Sequence, residues 1–168
     1  NGAMVVGFRM HPFIVTLATY SILRGLCPKF PSTVPIPGRQ LPDAFINFMG
    51  YRFGADIQLM PVIIMLVVVI LGAIFLHTTT AGRETYAVGG NPEAARYSGI
   101  RVWWVLLRVY ILMGICSGIA AVVMLGRWNT MSTNDALGYE LDVIAAAVVG
   151  GASLLGGRGT ALGALLGT

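Results

Sequence analysis

The sequence predicts an all-α fold, a polytopic transmembrane helical bundle, and both its composition and two long apolar runs support this prediction. Hydrophobic residues make up 56% of the 168 residues. Charged residues make up 11%, against about 25% in soluble domains. Residues 58–76 and 102–125 are apolar runs, and a helix of about 20 apolar residues crosses the hydrocarbon core of a bilayer. We therefore expect a membrane protein.

Basic residues outnumber acidic residues by eleven to seven, which gives a net charge of +4. The basic residues are scattered singly along the chain rather than clustered. In membrane proteins such residues mark loop ends and contact lipid headgroups, so we expect contact with membrane lipid and not with nucleic acid. The chain begins at Asn1 without a methionine and ends at Thr168 within an apolar run. We therefore expect an internal fragment of a longer membrane protein.

The first predicted span covers residues 12–26 and begins at Pro12, which suits the first turn of a helix because no N–H is needed there. Its length of about 22 Å is short of the hydrocarbon core of about 30 Å. Thr16 and Thr19 lie one turn apart in this span, and two interpretations stay open. Their hydroxyls bond back to carbonyls one turn earlier, or they face a substrate path.

Residues 27–56 interrupt the helical pattern because five prolines fall within residues 28–42, namely Pro28, Pro31, Pro35, Pro37 and Pro42. We expect an extended or turning surface loop here, with one short helix in residues 43–50 on the membrane surface. Residues 127–138 are expected to form a second polar loop. The sequence assigns no specific role to the proline-rich loop.

Residues 58–76 form the clearest predicted span, because they carry no charge and are rich in Leu, Ile and Val. Residues 102–125 return across the membrane, with Trp103 and Trp104 at the interface where indoles prefer to lie. Arg108 follows two turns into this span. Its guanidinium either reaches back to the lipid headgroups or contacts a carboxylate of a neighbouring helix.

The polar segment between these two spans has the residues of a short surface helix. Asn91 is a favourable N-cap, and Pro92 fits the first helical position. Glu93 would lie at the positive end of the helix dipole, and Gly99 can adopt the left-handed conformation that ends a helix. The pattern predicts a helix of about two turns, residues 92–98.

A broken or half-membrane helix is predicted near the C-terminus, at residues 140–152, because its apolar stretch is too short to cross a bilayer. Asp142 lies in its first turn, and Gly150 and Gly151 end it. Such breaks are tolerated within a membrane where protein or a water-filled cavity covers the backbone. This helix is therefore a candidate wall of a translocation path, and residues 159–168 are expected to start a further span.

Glu93, Ala94 and Ala95, followed after three residues by Gly99, resemble the EAA-x-x-x-G loop of ABC-importer membrane subunits. The flanking residues 86–91 resemble those of sugar permeases of the ribose, xylose and galactose type. Two further stretches are similar to the same family: PFIVTL with RG following, and GYELD followed by GG and GGRG. The resemblance covers nearly the whole chain except the proline-rich loop.

This resemblance implies a membrane permease subunit of an ABC sugar importer, the inner membrane component of a binding-protein-dependent transport system. Residues 77–101 would be a cytoplasmic coupling loop whose short helix docks on an ATPase. The implied contact residues are Asn91, Pro92, Glu93, Ala94, Ala95, Arg96 and Gly99. Both alanines would let the backbone of the partner approach closely. The candidate residues of the translocation path are Thr16, Thr19, Asp142, Gly150 and Gly151.

The implied partners are ABC ATPase subunits, a periplasmic or extracellular sugar-binding protein, and a second permease copy or homologue. The implied location is the inner (plasma) membrane of a bacterial cell, with several spans. The alternative is a self-sufficient carrier or channel that ATP does not drive. Such a protein would place ionisable residues in mid-span, and residues 59–76 and 114–125 contain no Asp, Glu, Lys, Arg or His.

We expect no catalytic residue, cofactor or metal site in this chain. Residues 151–158 have the outline of a phosphate-binding loop, but Gly157 stands where a lysine is needed and Arg158 where Ser or Thr is needed. His11 and His77 have no acidic or cysteine partner at ligand spacing. The chain is therefore not expected to be an enzyme, and ATP hydrolysis would be done by a partner ATPase.

Overall fold

A computed structural model describes residues 1–8, 10–26, 36–37, 42–53, 57–128, 130–131 and 137–168. This part of the chain is mainly helical, which confirms the predicted all-α class. Its helices are α1 (Gly2–Phe8), α2 (Pro12–Leu26), α3 (Asp43–Met49), α4 (Leu59–Thr78), α5 (Thr80–Gly90), α6 (Pro92–Tyr97), α7 (Val102–Trp128), α8 (Tyr139–Val149) and α9 (Ala161–Leu166). Most of the proline-rich loop predicted at residues 27–56 lies outside the described residues.

Two short antiparallel ladders accompany the helices. The strands are β1 (Ile36–Pro37), β2 (Arg52–Phe53), β3 (Ile57–Gln58) and β4 (Thr130–Met131). β1 pairs with β4, and β2 pairs with β3. β2 and β3 are close in the sequence, whereas β1 and β4 are far apart in it. Each strand has only two residues, so the ladders leave the fold class unchanged.

Helices α4 and α7 are long and apolar enough to cross a membrane. α4 has 20 residues with a mean hydropathy of 3.1, and α7 has 27 residues with a mean hydropathy of 2.2. Their apolar side chains are largely exposed, as at Leu71 (60%) and Met113 (67%). An apolar surface of this extent is not stable in water, so these helices suit contact with lipid or with other membrane helices.

The chain divides into two compact units, and the first comprises Asn1–Met65 and Leu112–Asp135. Within it, Val5 of α1 and Val15 of α2 are buried. Met49 of α3 packs on α7 at Gly126, where an added Cβ would lie 2.6 Å from the Met49 Cγ. An apolar groove of about 360 Å³ lies beside Met49, lined also by Ile64, Ile115, Gly118, Ile119, Val122 and Val123.

The second unit comprises Leu66–Ile111 and Ala136–Thr168. In this unit α5 packs on α6, and α8 packs on α9. Gly150 at the end of α8 meets Gly163 of α9, and Ala146 meets Gly167. The later residue of α8 pairs with the earlier residue of α9, so the two helices form an antiparallel hairpin.

Candidate functional site

The N-terminus of α6 is capped as the sequence predicts. The Asn91 side-chain oxygen accepts hydrogen bonds from the backbone N–H groups of Glu93 and Ala94, each at 3.0 Å. Pro92 occupies the first turn, where its missing N–H costs nothing. Glu93 lies in the same turn, where its carboxylate is stabilised by the helix dipole. These contacts fix where a helix of only six residues begins.

The C-terminus of α6 is closed by a Schellman motif. The helix ends at Tyr97, one residue before the predicted end, and Gly99 has a φ of +84°. The N–H of Ile100 donates to the Ala95 carbonyl, and the N–H of Gly99 donates to the Arg96 carbonyl, each at 3.0 Å. This 6→1 and 5→2 pattern satisfies carbonyls that the helix end would leave unpaired. The predicted left-handed role of Gly99 is confirmed.

A small core holds α6 on the helices on either side of it. Val88 of α5, Ala95 of α6 and Val105 of α7 are each at most 4% exposed. Ile100 and Val102 pack against this cluster. The Ala95 methyl group therefore faces its own chain, and the predicted contact of this position with a partner stays a prediction.

The remaining predicted contact residues of α6 are on its exposed surface. These are Asn91, Pro92, Glu93, Ala94, Arg96 and Gly99. Tyr97 is 89% exposed, and the sequence prediction missed it. Glu93 and Tyr97 are four residues apart, on the face opposite Ala95. The spacing of Glu93 and Tyr97 in the sequence could have revealed this, because residues four apart lie on one face of a helix.

α5 is a second element of the site that the sequence prediction missed. The Thr79 hydroxyl oxygen caps it by accepting from the Gly82 N–H at 3.0 Å. Glu84 accepts a charged hydrogen bond from Arg108 of α7, with 3.2 Å between Oε2 and Nη1. Arg108 therefore contacts a carboxylate, which was one of its two predicted alternatives. α5 and the start of α7 together form the platform that carries α6.

The α8–α9 hairpin contains three of the predicted path residues. Asp142 is exposed in the first turn of α8. Gly151 has a φ of +87° in the turn that follows α8. Gly150 touches the Gly163 backbone so closely that an added Cβ would clash with the Gly163 carbonyl. Gly150 therefore serves helix packing in this structure, because its open side is occupied by α9.

Thr16 and Thr19, the other two predicted path residues, lie in α2 of the first unit. The Thr16 hydroxyl lies 3.0 Å from the carbonyl oxygens of Pro12 and of Phe13. The Thr19 hydroxyl lies 2.8 Å from the Val15 carbonyl oxygen and 2.6 Å from the Asn1 Oδ1. Both hydroxyls thus bond back within the helix, as one of the two predicted interpretations requires.

Comparison with known proteins agrees with the family resemblance seen in the sequence. A family model described as "Branched-chain amino acid transport system / permease component" matches residues 1–168. The chain is 40% identical over 168 residues to the ribose import permease protein RbsC of Bacillus subtilis, covering 99% of this chain and 51% of that protein. It is 34% identical over 169 residues to the D-allose transport system permease protein AlsC of Escherichia coli, covering 99% and 50%.

A third relative is the fructose import permease protein FrcC of Rhizobium meliloti, with 32% identity over 171 residues, 99% of this chain and 48% of that protein. No solved structure matches. The chain spans about half the length of the curated relatives that it matches. Over the whole of its length, the chain belongs to the family of permease components typified by the branched-chain amino acid transport system.

Proposed function

We propose that the chain is the membrane-spanning part of an ABC importer permease that forms a translocation path for a monosaccharide. The relatives named above are import permeases for ribose, allose and fructose, which supports a sugar of this size as cargo. α2, α4 and α7 would be membrane spans, and α8 would enter the membrane partway. In this proposal the chain hydrolyses no ATP itself, and ATPase subunits provide the energy.

α6 is the proposed contact with the ATPase, and the observation that carries this proposal is its fixed but exposed position. The helix is capped at both ends and held on Val88 and Val105, while Glu93, Ala94 and Tyr97 remain exposed. A matching groove on the partner would offer a hydrogen-bond donor or a cation to Glu93. It would also offer an apolar wall to the Tyr97 ring.

The proposed mechanism is a rigid-body displacement of α6 that is passed to the spans. When ATP closes the ATPase subunits, the groove shifts α6 and, through the shared core, α5 and the start of α7. Such hinge and shear motions change which side of the membrane a path opens to. A sugar-binding protein on the opposite face and a second permease copy would complete the transporter.

Asp142 is the proposed polar contact for the sugar along the path. A carboxylate accepts hydrogen bonds from sugar hydroxyls, and this side chain is exposed at the start of α8. Gly150 and Gly151 would shape the end of the same helix. Thr16 and Thr19 would contribute polar oxygens from α2, since a hydroxyl that donates to a helix carbonyl still accepts a hydrogen bond.

Copurification of the full-length permease with its ATPase tests this proposal. The variants are Glu93→Arg and Tyr97→Ala, and the matched control is Glu140→Arg. Glu140 is also exposed in the first turn of a short helix. We expect both α6 variants to lose most of the bound ATPase and the control to retain it. Equal ATPase retention by all the variants would contradict the proposal.

The energy source of sugar uptake distinguishes the proposed ABC importer from a self-sufficient carrier. In membrane vesicles, sugar uptake by an ABC importer follows internal ATP and survives collapse of the proton gradient. Uptake that persists without ATP and stops with the gradient would favour the carrier.

A further inference from the structure

The turn between α8 and α9, residues 150–160, packs on the C-terminal end of α5 through backbone contact. A Cβ added to Gly89 would lie 2.6 Å from the Gly157 backbone nitrogen and 3.2 Å from its Cα. A Cβ added to Gly157 would lie 2.7 Å from the Gly90 Cα. Real Cβ atoms do not approach backbone so closely, so only glycine at positions 89 and 157 allows this contact.

A side-chain hydrogen bond reinforces the same contact. The Tyr86 hydroxyl donates to the Gly159 carbonyl oxygen at 2.5 Å. Tyr86 precedes Gly89 by three residues, so both lie on the face of α5 that the turn covers. The turn is also closed internally, because the Ser153 N–H donates to the Arg158 carbonyl oxygen at 3.0 Å. A closed turn moves as a unit when its anchor moves.

The contact continues from the turn into the hairpin. Gly150 and Gly163 pack backbone against backbone, and Gly167 packs against the Ala146 carbonyl. On the other side, α5 runs through Asn91 directly into α6 and shares the buried Val88 with it. An unbroken series of close contacts therefore joins α6 to α8.

We infer that Tyr86, Gly89 and Gly157 are positioning residues that transmit displacement of α6 to the α8–α9 hairpin. This inference rests on the proposed role of α6 as the contact with an ATPase. If α6 is displaced while the turn is docked on α5, the hairpin that carries Asp142 has to follow. Without the docked turn, ATP hydrolysis would no longer drive movement of the sugar.

The test compares Gly89→Ala with Gly90→Ala in the full-length permease assembled with its ATPase. Both replacements add the same methyl group to neighbouring positions of one helix. Among the described residues, no atom lies within 4 Å of a Cβ added to Gly90. We expect Gly89→Ala to keep the bound ATPase and ATP hydrolysis and to lower the maximal rate of sugar uptake about tenfold, with an unchanged KM. Gly90→Ala should match the wild type in every measurement.

Tyr86→Phe provides a second variant that removes only the hydroxyl and adds no bulk. We expect a threefold loss of maximal uptake at normal ATP hydrolysis. Amide hydrogen exchange of residues 153–161 gives a readout independent of transport, and it should be faster in Gly89→Ala and Tyr86→Phe than in Gly90→Ala.

The outcomes separate this inference from the proposed function. Faster exchange with uptake unchanged would overturn the inference and leave the proposed function standing. Unchanged exchange in both variants would also overturn it, since the turn would then not depend on this contact. A wild-type permease that binds no ATPase would overturn the proposed function itself, and the inference with it.

Discussion

The Arg108 guanidinium of α7 lies 3.2 Å from the Glu84 carboxylate of α5, between Nη1 and Oε2. Both side chains are a little more than a third exposed, at 37% and 38%. Solvent therefore screens the attraction, and such pairs contribute about 1 kcal/mol or less. The pair therefore joins α5 to α7 but contributes little to the stability of the fold.

We expect the Glu84–Arg108 pair to show coupling in a double-mutant cycle. Glu84→Gln and Arg108→Gln should each lower the free energy of unfolding by about 1 kcal/mol or less, and the double variant should cost no more than one of them alone. Unfolding of the purified protein in detergent measures these effects. If the loss of unfolding free energy in the double variant equals the sum of the losses in the two single variants, the pairing is contradicted.

Asn91→Ala should weaken α6 by about 1 kcal/mol, because two backbone N–H groups lose the side-chain acceptor that caps them. Asn91→Asp keeps an acceptor oxygen at the same place and should behave like the wild type. Hydrogen exchange at the amides of Glu93 and Ala94 reports the change directly. Exchange that is equally slow in both variants would show that the cap does not hold this helix.

Gly99→Ala should destabilise the protein by about 1–2 kcal/mol, because a φ of +84° forces the Cβ towards the following carbonyl. Gly99→Asn should recover part of this loss, since asparagine tolerates the left-handed region. Gly114→Ala in α7 is the control. Among the described residues no atom lies within 4 Å of its added Cβ, and its helical backbone should gain stability. Thermal unfolding of the three variants measures their order of stability, which should be Gly114→Ala, then Gly99→Asn, then Gly99→Ala.

Ala94 and Ala95 should respond differently to the same replacement by leucine. At Ala95 the larger side chain overpacks the core with Val88 and Val105, at a cost of about 1–3 kcal/mol. At Ala94 the side chain is exposed, so the fold should tolerate leucine while ATPase binding weakens if α6 enters a close-fitting groove. Unfolding and copurification, measured on both variants, separate the two effects. Equal stability of the variants would contradict the burial of Ala95.

Features encoded in consecutive residues could be predicted from the sequence. The apolar run of α4 follows from hydropathy, and the limits of α6 follow from Asn91, Pro92 and Gly99. Each of these signals is local, so it needs no knowledge of distant contacts.

α5 could not be predicted because its sequence is a poor helix former. Gly82, Gly89 and Gly90 each disfavour a helix by about 1 kcal/mol relative to alanine, and the helix forms because tertiary contacts compensate. Val88 is buried in the small core, and Tyr86 bonds to a carbonyl 73 residues further along the chain. The pattern of residues within α5 does not reveal contacts with residues so far away in the sequence.

The orientation of Ala95 and the partner of Gly150 were unpredictable for a related reason. Ala94 and Ala95 are chemically identical, and only the positions of Val88 and Val105 decide which one turns inward. The sequence predicted that Gly150 ends a helix, but nothing in that pattern revealed that Gly163 of α9 would pack against it.

The 27 residues of α7 give it a length of about 40 Å, whereas the hydrocarbon core measures about 30 Å. Exposed tryptophans mark both of its ends, Trp103 and Trp104 at one and Trp128 at the other. The uncharged stretch between Arg108 and Arg127, residues 109–126, is about 27 Å long and so matches that core, which would leave the tryptophan-bearing ends of α7 in the headgroup layer on either side.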